Sequence, residues 1–268
     1  MTVGAVAAVT LGVLAPTAGA ATTIKNGGST GLQLLATKLA QEYKKFTHGS
    51  VKVVVTGGGS GAGITGANTG SLDIGNSSRD PRPSDPAGLN FYPISREPFV
   101  IVVNPKNPVK NLTKAQIKGI LTGSITKWKD VGWKKGGAIQ VYGRISTSGT
   151  FASCKTLFTD GAEYTSTAPA LASNGLDREA VATNKRGIAC VTLPYLTTSR
   201  GRIKGVSVNG VAPTLRNAAS GKYKYINKQY FVIKGTPAGA VLTYLQWVVR
   251  KKTQCNIVSH YALPIVKC

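Results

Sequence analysis

Apolar residues along this chain alternate between short β-branched runs and stripes at helical spacing. Thr22 to Lys25 reads as a strand that runs into Asn26-Gly27-Gly28-Ser29-Thr30. Leu32, Leu35, Leu39, Tyr43 and Phe46 then recur every three or four residues, the stripe of an amphipathic helix. Val51 to Thr56 is a β-branched strand closed by Gly57 to Gly63, and Leu72 to Gly75 is a short buried strand ending in Asn76-Ser77-Ser78-Arg79. Phe99 to Val103 is a strand. A helix follows with Ile117, Ile120 and Leu121 inward and Thr113 as its N-cap. Ile139 to Tyr142 leads through Arg144 to Ser148-Gly149-Thr150, and a helix carrying Phe151, Cys154, Leu157 and Phe158 follows. Strands at Ile188 to Leu193 and Gln229 to Ile233 come next. Thr236-Pro237 then opens a helix with Leu242, Leu245, Val248 and Val249 inward. This alternation predicts an α/β fold with mainly parallel pairing.

Three of these junctions share one design. At Ser29-Thr30, Ser60-Gly61 and Ser148-Gly149-Thr150 a strand ends in a small hydroxylic turn that opens a helix. Each turn offers free backbone N–H groups and the positive end of a helix dipole, and small residues let an anion approach closely. Several such turns in one cleft would replace the water shell of an oxyanion, with Arg144 adding a charge-assisted pair. Single turns of this kind are ordinary caps; three with an arginine point to anion binding.

Charge and cysteine usage narrow the picture. The chain has 33 Lys and Arg against 10 Asp and Glu, a net charge of +23. Residues 1–98 carry a net +3 and residues 99–268 a net +20. Such a surface attracts anions of any kind. The acids form no HExxH, EF-hand or DxD pattern, and His48 and His260 are the only histidines. That supply of acid–base groups argues against an enzyme. The apolar run Val3 to Ala15, followed by Ala18-Gly19-Ala20, reads as an export signal over residues 1–20, with no cysteine beside it for a lipid anchor. Cys154, Cys190, Cys255 and Cys268 contain no CxxC and fit two disulfides in an exported protein. Of three connectivities, Cys154–Cys190 with Cys255–Cys268 keeps each bond local.

Other motif matches are weaker. Gly61-x-Gly63-x-x-Gly66 fits a dinucleotide fingerprint, but no acid ends a second long strand about twenty residues on. Gly27-x-Ser29-x-Gly31 fits a nucleophile elbow with His260 downstream, yet only one strand precedes Ser29. Trp128, Trp133 and Trp247 lie among basic residues and could stack on bases, although Trp247 sits on an amphipathic helix and is expected in the core.

Taken together and in order, the GGGSGxG, DIGxSSR and R-x-x-x-SGT elements and the Asn111-Leu112-Thr113 and Ile125-Thr126-Lys127-Trp128 segments resemble the phosphate-binding subunit of high-affinity phosphate ABC transporters. The likeness runs from about Ile24 to the C-terminus. It implies an α/β, two-lobed periplasmic-binding-protein fold of type II with two crossover strands, near Phe99–Asn104 and between Leu193 and Lys204. Lobe I would comprise residues 21–103 and 199–268, and lobe II residues 104–198. Each favoured disulfide would then lie inside one lobe.

The resemblance also implies the ligand set: Ser29, Thr30 and Gly31; Ser60; Ser78 with Arg79 beside it; and Arg144, Ser148, Gly149 and Thr150. The implied function is capture of inorganic phosphate, or sulfate or another oxyanion, by an exported monomer that delivers it to an ABC permease. No cofactor, metal or nucleic acid enters that reading. The periplasm or the cell exterior is the expected location. The alternative is a secreted cationic adhesion, nucleic-acid-binding or wall-polymer-binding protein on the same scaffold. Two departures bear on selectivity: serine stands at position 78 where the best-known members have an aspartate, and Ser146 replaces a second acid near the arginine. A hydroxyl donates or accepts, so Ser78 is expected to prefer phosphate while letting sulfate compete.

Overall fold

The computed structural model describes residues 21–268, so the export signal expected at 1–20 lies outside the described residues. The strands, in chain order, are β1 (Thr22–Gly28), β2 (Val51–Gly58), β3 (Ile74–Ser77), β4 (Leu89–Val103), β5 (Asn111–Leu112), β6 (Gln140–Val141), β7 (Gly143–Arg144), β8 (Ala170–Leu171), β9 (Gly187–Thr192), β10 (Lys204–Gly205), β11 (Ser207–Val208) and β12 (Ile226–Lys234). The helices are α1 (Gln33–Phe46), α2 (Ser60–Thr69), α3 (Lys114–Thr122), α4 (Gly149–Cys154), α5 (Asn174–Thr183), α6 (Leu193–Thr197), α7 (Leu215–Ala219), α8 (Gly239–Val249) and α9 (Lys251–Asn256).

The main sheet runs β2-β1-β3-β12-β4-β9-β6, with β10 on the far half of β4. Small two-stranded sheets pair β5 with β11 and β7 with β8. The α/β expectation holds, but pairing is mixed. β1 is parallel to β2 and β3, whereas β12 is antiparallel to β3 and β4, and β4 to β9. The two long central strands arrive from opposite directions, which local patterning does not reveal.

β4 organises the molecule. Its first part, Leu89–Pro98, pairs with β12; its last part, Phe99–Val103, pairs with β9. Two apolar cores meet at this handover. One holds Ile24, Leu32, Leu35, Leu39, Ile74, Phe231 and Val248. The other holds Phe99 to Val103, Ile117, Trp128, Phe158, Val191 and also Ile203, Val206, Val208 and Tyr223. Residues 203–223 therefore pack with the second core, and the chain rejoins the first at β12.

Local signals explain most elements. Thr113 caps α3 in a full capping box with Gln116. Trp247 is buried as expected, and Trp128 is buried too, its indole N–H donating to the Arg186 carbonyl. Phe46 departs from the expected stripe, being 51% exposed with the Arg250 guanidinium over its ring. On α8, Leu245 and Val248 are buried while Leu242 and Val249 are half-buried. The disulfides are Cys154–Cys190, joining α4 to β9, and Cys255–Cys268, as favoured. No helix among the described residues is long and apolar enough to cross a membrane.

Candidate oxyanion site

The three turns do open helices, at α1, α2 and α4. Between β1 and β3, the Asn76 side-chain amide donates to Asn26 Oδ1 at 2.6 Å, and the Ser29 N–H donates to the Asn76 carbonyl at 2.9 Å. Ser29 Oγ is hydrogen-bonded to Ser78 Oγ. Ser78 follows β3 directly, and its N–H donates to Ser60 Oγ at 3.0 Å. Its hydroxyl donates across the sheet to Gln229 Oε1 on β12, at 2.5 Å. These contacts gather Ser29, Ser60 and Ser78 at the ends of β1, β2 and β3.

The second core contributes the opposite wall. Pairing of β7 with β8 places Arg144 so that its Nε donates to the Leu171 carbonyl at 2.9 Å and its Nη2 to the Ala172 carbonyl at 3.0 Å. Nη2 also reaches across to Thr30 Oγ1 at 3.1 Å. Asn174, at the start of α5, donates from Nδ2 to both Thr30 Oγ1 and Thr150 Oγ1. Thr192 Oγ1 donates to the Gly31 carbonyl at 3.0 Å, and the Tyr195 hydroxyl to the Thr30 carbonyl at 2.7 Å. Ser153 on α4 donates to the Ser78 carbonyl at 2.6 Å.

The two walls touch. A Cβ built on Gly149 would stand 2.0 Å from Ser60 Oγ, and one on Gly31 would stand 2.7 Å from Thr150 Oγ1 and 2.9 Å from Ser78 Oγ. Glycine is required where backbones approach this closely. Ser29, Thr30, Ser60, Ser78, Arg144, Ser148 and Thr150 are each at most 5% exposed. Nine of the ten expected residues thus converge in one buried polar cluster. The tenth, Arg79, is half-buried beside it, with its guanidinium on the Asp85 carboxylate and the Asp80 carbonyl.

Arg144 is the cation of this cluster. Its acid partner is Asp177 on α5, with Nη1 3.4 Å from Oδ2. The acid missing at Ser146 is therefore supplied from another element. Burial pushes the Asp177 carboxyl up from its usual range, and Arg144 opposes that shift. Burial likewise pulls the Arg144 guanidinium down, against Asp177, but an arginine stays protonated in proteins. Burial raises Tyr195 to about 12, so its phenol is a fixed donor. Ser29, placed in a possible nucleophile elbow, has Ser78 as its side-chain partner, while His260 is exposed and contacts Ser259. Among the described residues no general base faces that hydroxyl.

Sequence reasoning did not reach Asn174, Asp177, Thr192, Tyr195 or Gln229. Ser173, whose side chain accepts from the Leu176 N–H, was the one local signal for α5. Its apolar stripe is too sparse to announce the helix, because Leu176 is exposed.

The family model of the PBP superfamily domain matches residues 15–252. The phosphate-binding protein PstS of Bacillus subtilis is 28% identical over 235 residues, covering 87% of this chain and 77% of the relative. PstS of Borreliella burgdorferi is 27% identical over 206 residues, 74% of this chain and 73% of that protein. Among solved structures, a Clostridium perfringens chain with bound phosphate, described as a phosphate ABC transporter substrate-binding protein, superposes with a TM-score of 0.83 at 25% identity, covering 91% of this chain and all of that one. An ABC-type phosphate transport receptor from Vibrio cholerae gives 0.70 at 28% identity, with the same coverage.

Proposed function

The chain belongs to the PBP superfamily, and on that premise we propose that it is an exported solute-binding protein that captures inorganic phosphate and delivers it to an ABC permease. It performs no chemistry on its ligand. The observation that carries this reading is the meeting of three helix-opening turns and one buried arginine, drawn from both apolar cores, in a single cluster. The phosphate-binding relatives support it.

The ligand set is Ser29, Thr30, Gly31, Ser60, Ser78, Arg144, Ser148, Gly149 and Thr150. Arg79 stands outside it as a support for the Ser78 turn, its charge committed to Asp85. Lobe I follows the first core, residues 21–98 and 226–268, and lobe II the second, residues 99–225. The return is thus drawn later than residue 199, because Ile203 to Tyr223 pack with lobe II. The arrangement described above is the closed form. Phosphate enters an open form and is desolvated as Arg144 and the N–H groups of the turns close on it.

Titration calorimetry with phosphate at low and high salt tests the proposal. A desolvated cleft keeps most of its affinity as salt rises, because buried charges are poorly screened. A polyanion-binding surface would lose affinity steeply. Failure to bind phosphate at either salt concentration would overturn the reading.

A further inference from the structure

Each hydroxyl in the cluster has one proton to give and two lone pairs with which to accept. Thr30 Oγ1 lies within reach of three donors that share its two lone pairs: Arg144 Nη2 at 3.1 Å, the Asn174 N–H at 3.3 Å and Asn174 Nδ2 at 3.2 Å. Ser60 Oγ accepts from the Ser78 N–H. Ser148 Oγ accepts from the Phe151 N–H at 3.2 Å, and Thr150 Oγ1 from Asn174 Nδ2 at 2.9 Å. None of these four hydroxyls donates to another group among the described residues. Their protons are therefore available to an anion.

Ser78 is the reverse case. Its proton goes to Gln229 Oε1. The hydrogen bond with Ser29 must then be donated by Ser29, and what Ser78 Oγ has left to offer is a lone pair. Gln229 is fully buried on β12. Its Nε2 has no partner among the described residues, and Ser95, its cross-strand neighbour on β4, has an unpartnered buried Oγ. The amide thus turns its oxygen to Ser78 and its nitrogen away.

We propose that Gln229 is the specificity-determining residue of the oxyanion site: by taking the Ser78 proton, it makes Ser78 an acceptor opposite four hydroxyl donors. A site so arranged fits a tetrahedral oxyanion that carries a proton, as phosphate does at neutral pH. Fully ionised sulfate would set a lone pair against a lone pair. The open choice expected of a free serine hydroxyl is thus closed by a residue 151 positions away. No proton is transferred; the ligand keeps its own and donates it in a hydrogen bond. This inference rests on the phosphate reading above and names the feature of phosphate that the site selects.

The test is calorimetric competition between phosphate and sulfate at neutral pH in the wild type, Gln229→Leu, Gln229→Glu and Ser78→Ala. Gln229→Leu frees the Ser78 proton, so sulfate gains and the phosphate-to-sulfate affinity ratio falls at least about tenfold, the scale set by one mismatched buried hydrogen bond. Gln229→Glu keeps an acceptor in place; both affinities fall and the ratio is retained. Ser78→Ala lowers the ratio as Gln229→Leu does, and adding Gln229→Leu to it changes the ratio no further. A purely structural role for Gln229 would weaken both anions alike, so an unchanged ratio in Gln229→Leu overturns the inference. Should that variant not fold, an unchanged ratio in Ser78→Ala does so. Wild-type protein that binds no phosphate would overturn the functional reading and this inference with it. Tight phosphate binding with an unchanged ratio would overturn this inference alone.

Discussion

A single methyl group at position 149 should separate binding from stability. Gly149 opens α4 and faces Ser60 across the contact between the two cores; an added Cβ would lie 2.0 Å from Ser60 Oγ and 2.8 Å from Ser60 Cβ. Ordinary carbon contacts need about 3.5 Å, so the walls must part by roughly 1.5 Å. Ser60 cannot swing aside freely, because it is buried and accepts the Ser78 N–H. Overpacking of this kind costs about 1–3 kcal/mol. In Gly149→Ala that cost falls on the closed form and weakens phosphate binding by about 5- to 150-fold. The free protein can open and avoid the clash, and alanine favours a helical position over glycine by up to about 1 kcal/mol. The melting temperature without phosphate should therefore hold or rise slightly, while the upward shift produced by a fixed phosphate concentration shrinks. Calorimetry and paired melting curves check both halves. A variant that binds phosphate like the wild type would refute the idea that these walls close on the ligand.

Arg144→Ala should weaken phosphate binding by about 2–4 kcal/mol, because it deletes the charge-assisted partner of a buried anion; an unchanged dissociation constant would move the site elsewhere. Glu97 is fully buried, and burial raises its carboxyl well above the usual range, a shift that the nearby Leu193 backbone amide opposes without cancelling. Its folded-state value exceeds the unfolded one, so stability is full below the unfolded value and is lost as pH rises toward the folded one. Melting curves from acid to neutral pH should accordingly show wild-type stability falling relative to Glu97→Gln; parallel pH profiles would contradict this. Removing Cys154–Cys190, which spans 36 residues, should cost about 4 kcal/mol on loop entropy, against about 3 kcal/mol for Cys255–Cys268, which spans 13. Denaturant melts of the two double-alanine variants would rank them, and the reverse order would show that loop length does not govern.

What the chain discloses locally and what it hides follow from contact range. The turns at Ser29, Ser60 and Ser148, the Thr113 cap and the inward stripes of α1 and α3 are set by near neighbours, and patterning reads them. β4 is longer than expected by its first ten residues, because Pro93, Ser95, Arg96 and Glu97 interrupt the apolar run that marks Phe99 to Val103. Only pairing with β12 makes that segment a strand, and β12 lies far along the chain. Asp177 and Gln229 were out of reach for the same reason. Each acts on a partner 33 or 151 residues away, and neither sits in a motif of its own. The resemblance leaves Arg144 without a neighbouring acid, with Ser146 in its place; the fold brings Asp177 to the arginine from another element.

The handover in β4 carries a further consequence. Pro98 is the last residue paired with β12, opposite Ile226, and Phe99 is the first paired with β9. A proline ring fixes its own φ near −65° and keeps the residue before it extended. Motion that parts the two cores must run through this junction and through the return at Tyr225–Ile226, and at Pro98 the chain has lost one of its two rotatable dihedrals. Phe99 is clasped as well, its N–H donating to the Tyr225 carbonyl and its carbonyl accepting from the Tyr223 hydroxyl. The joint therefore works as a stiff shaft rather than a slack tether. On the closure proposed above, stiffness at this joint limits how far Ser60 can stray from its place opposite Gly149.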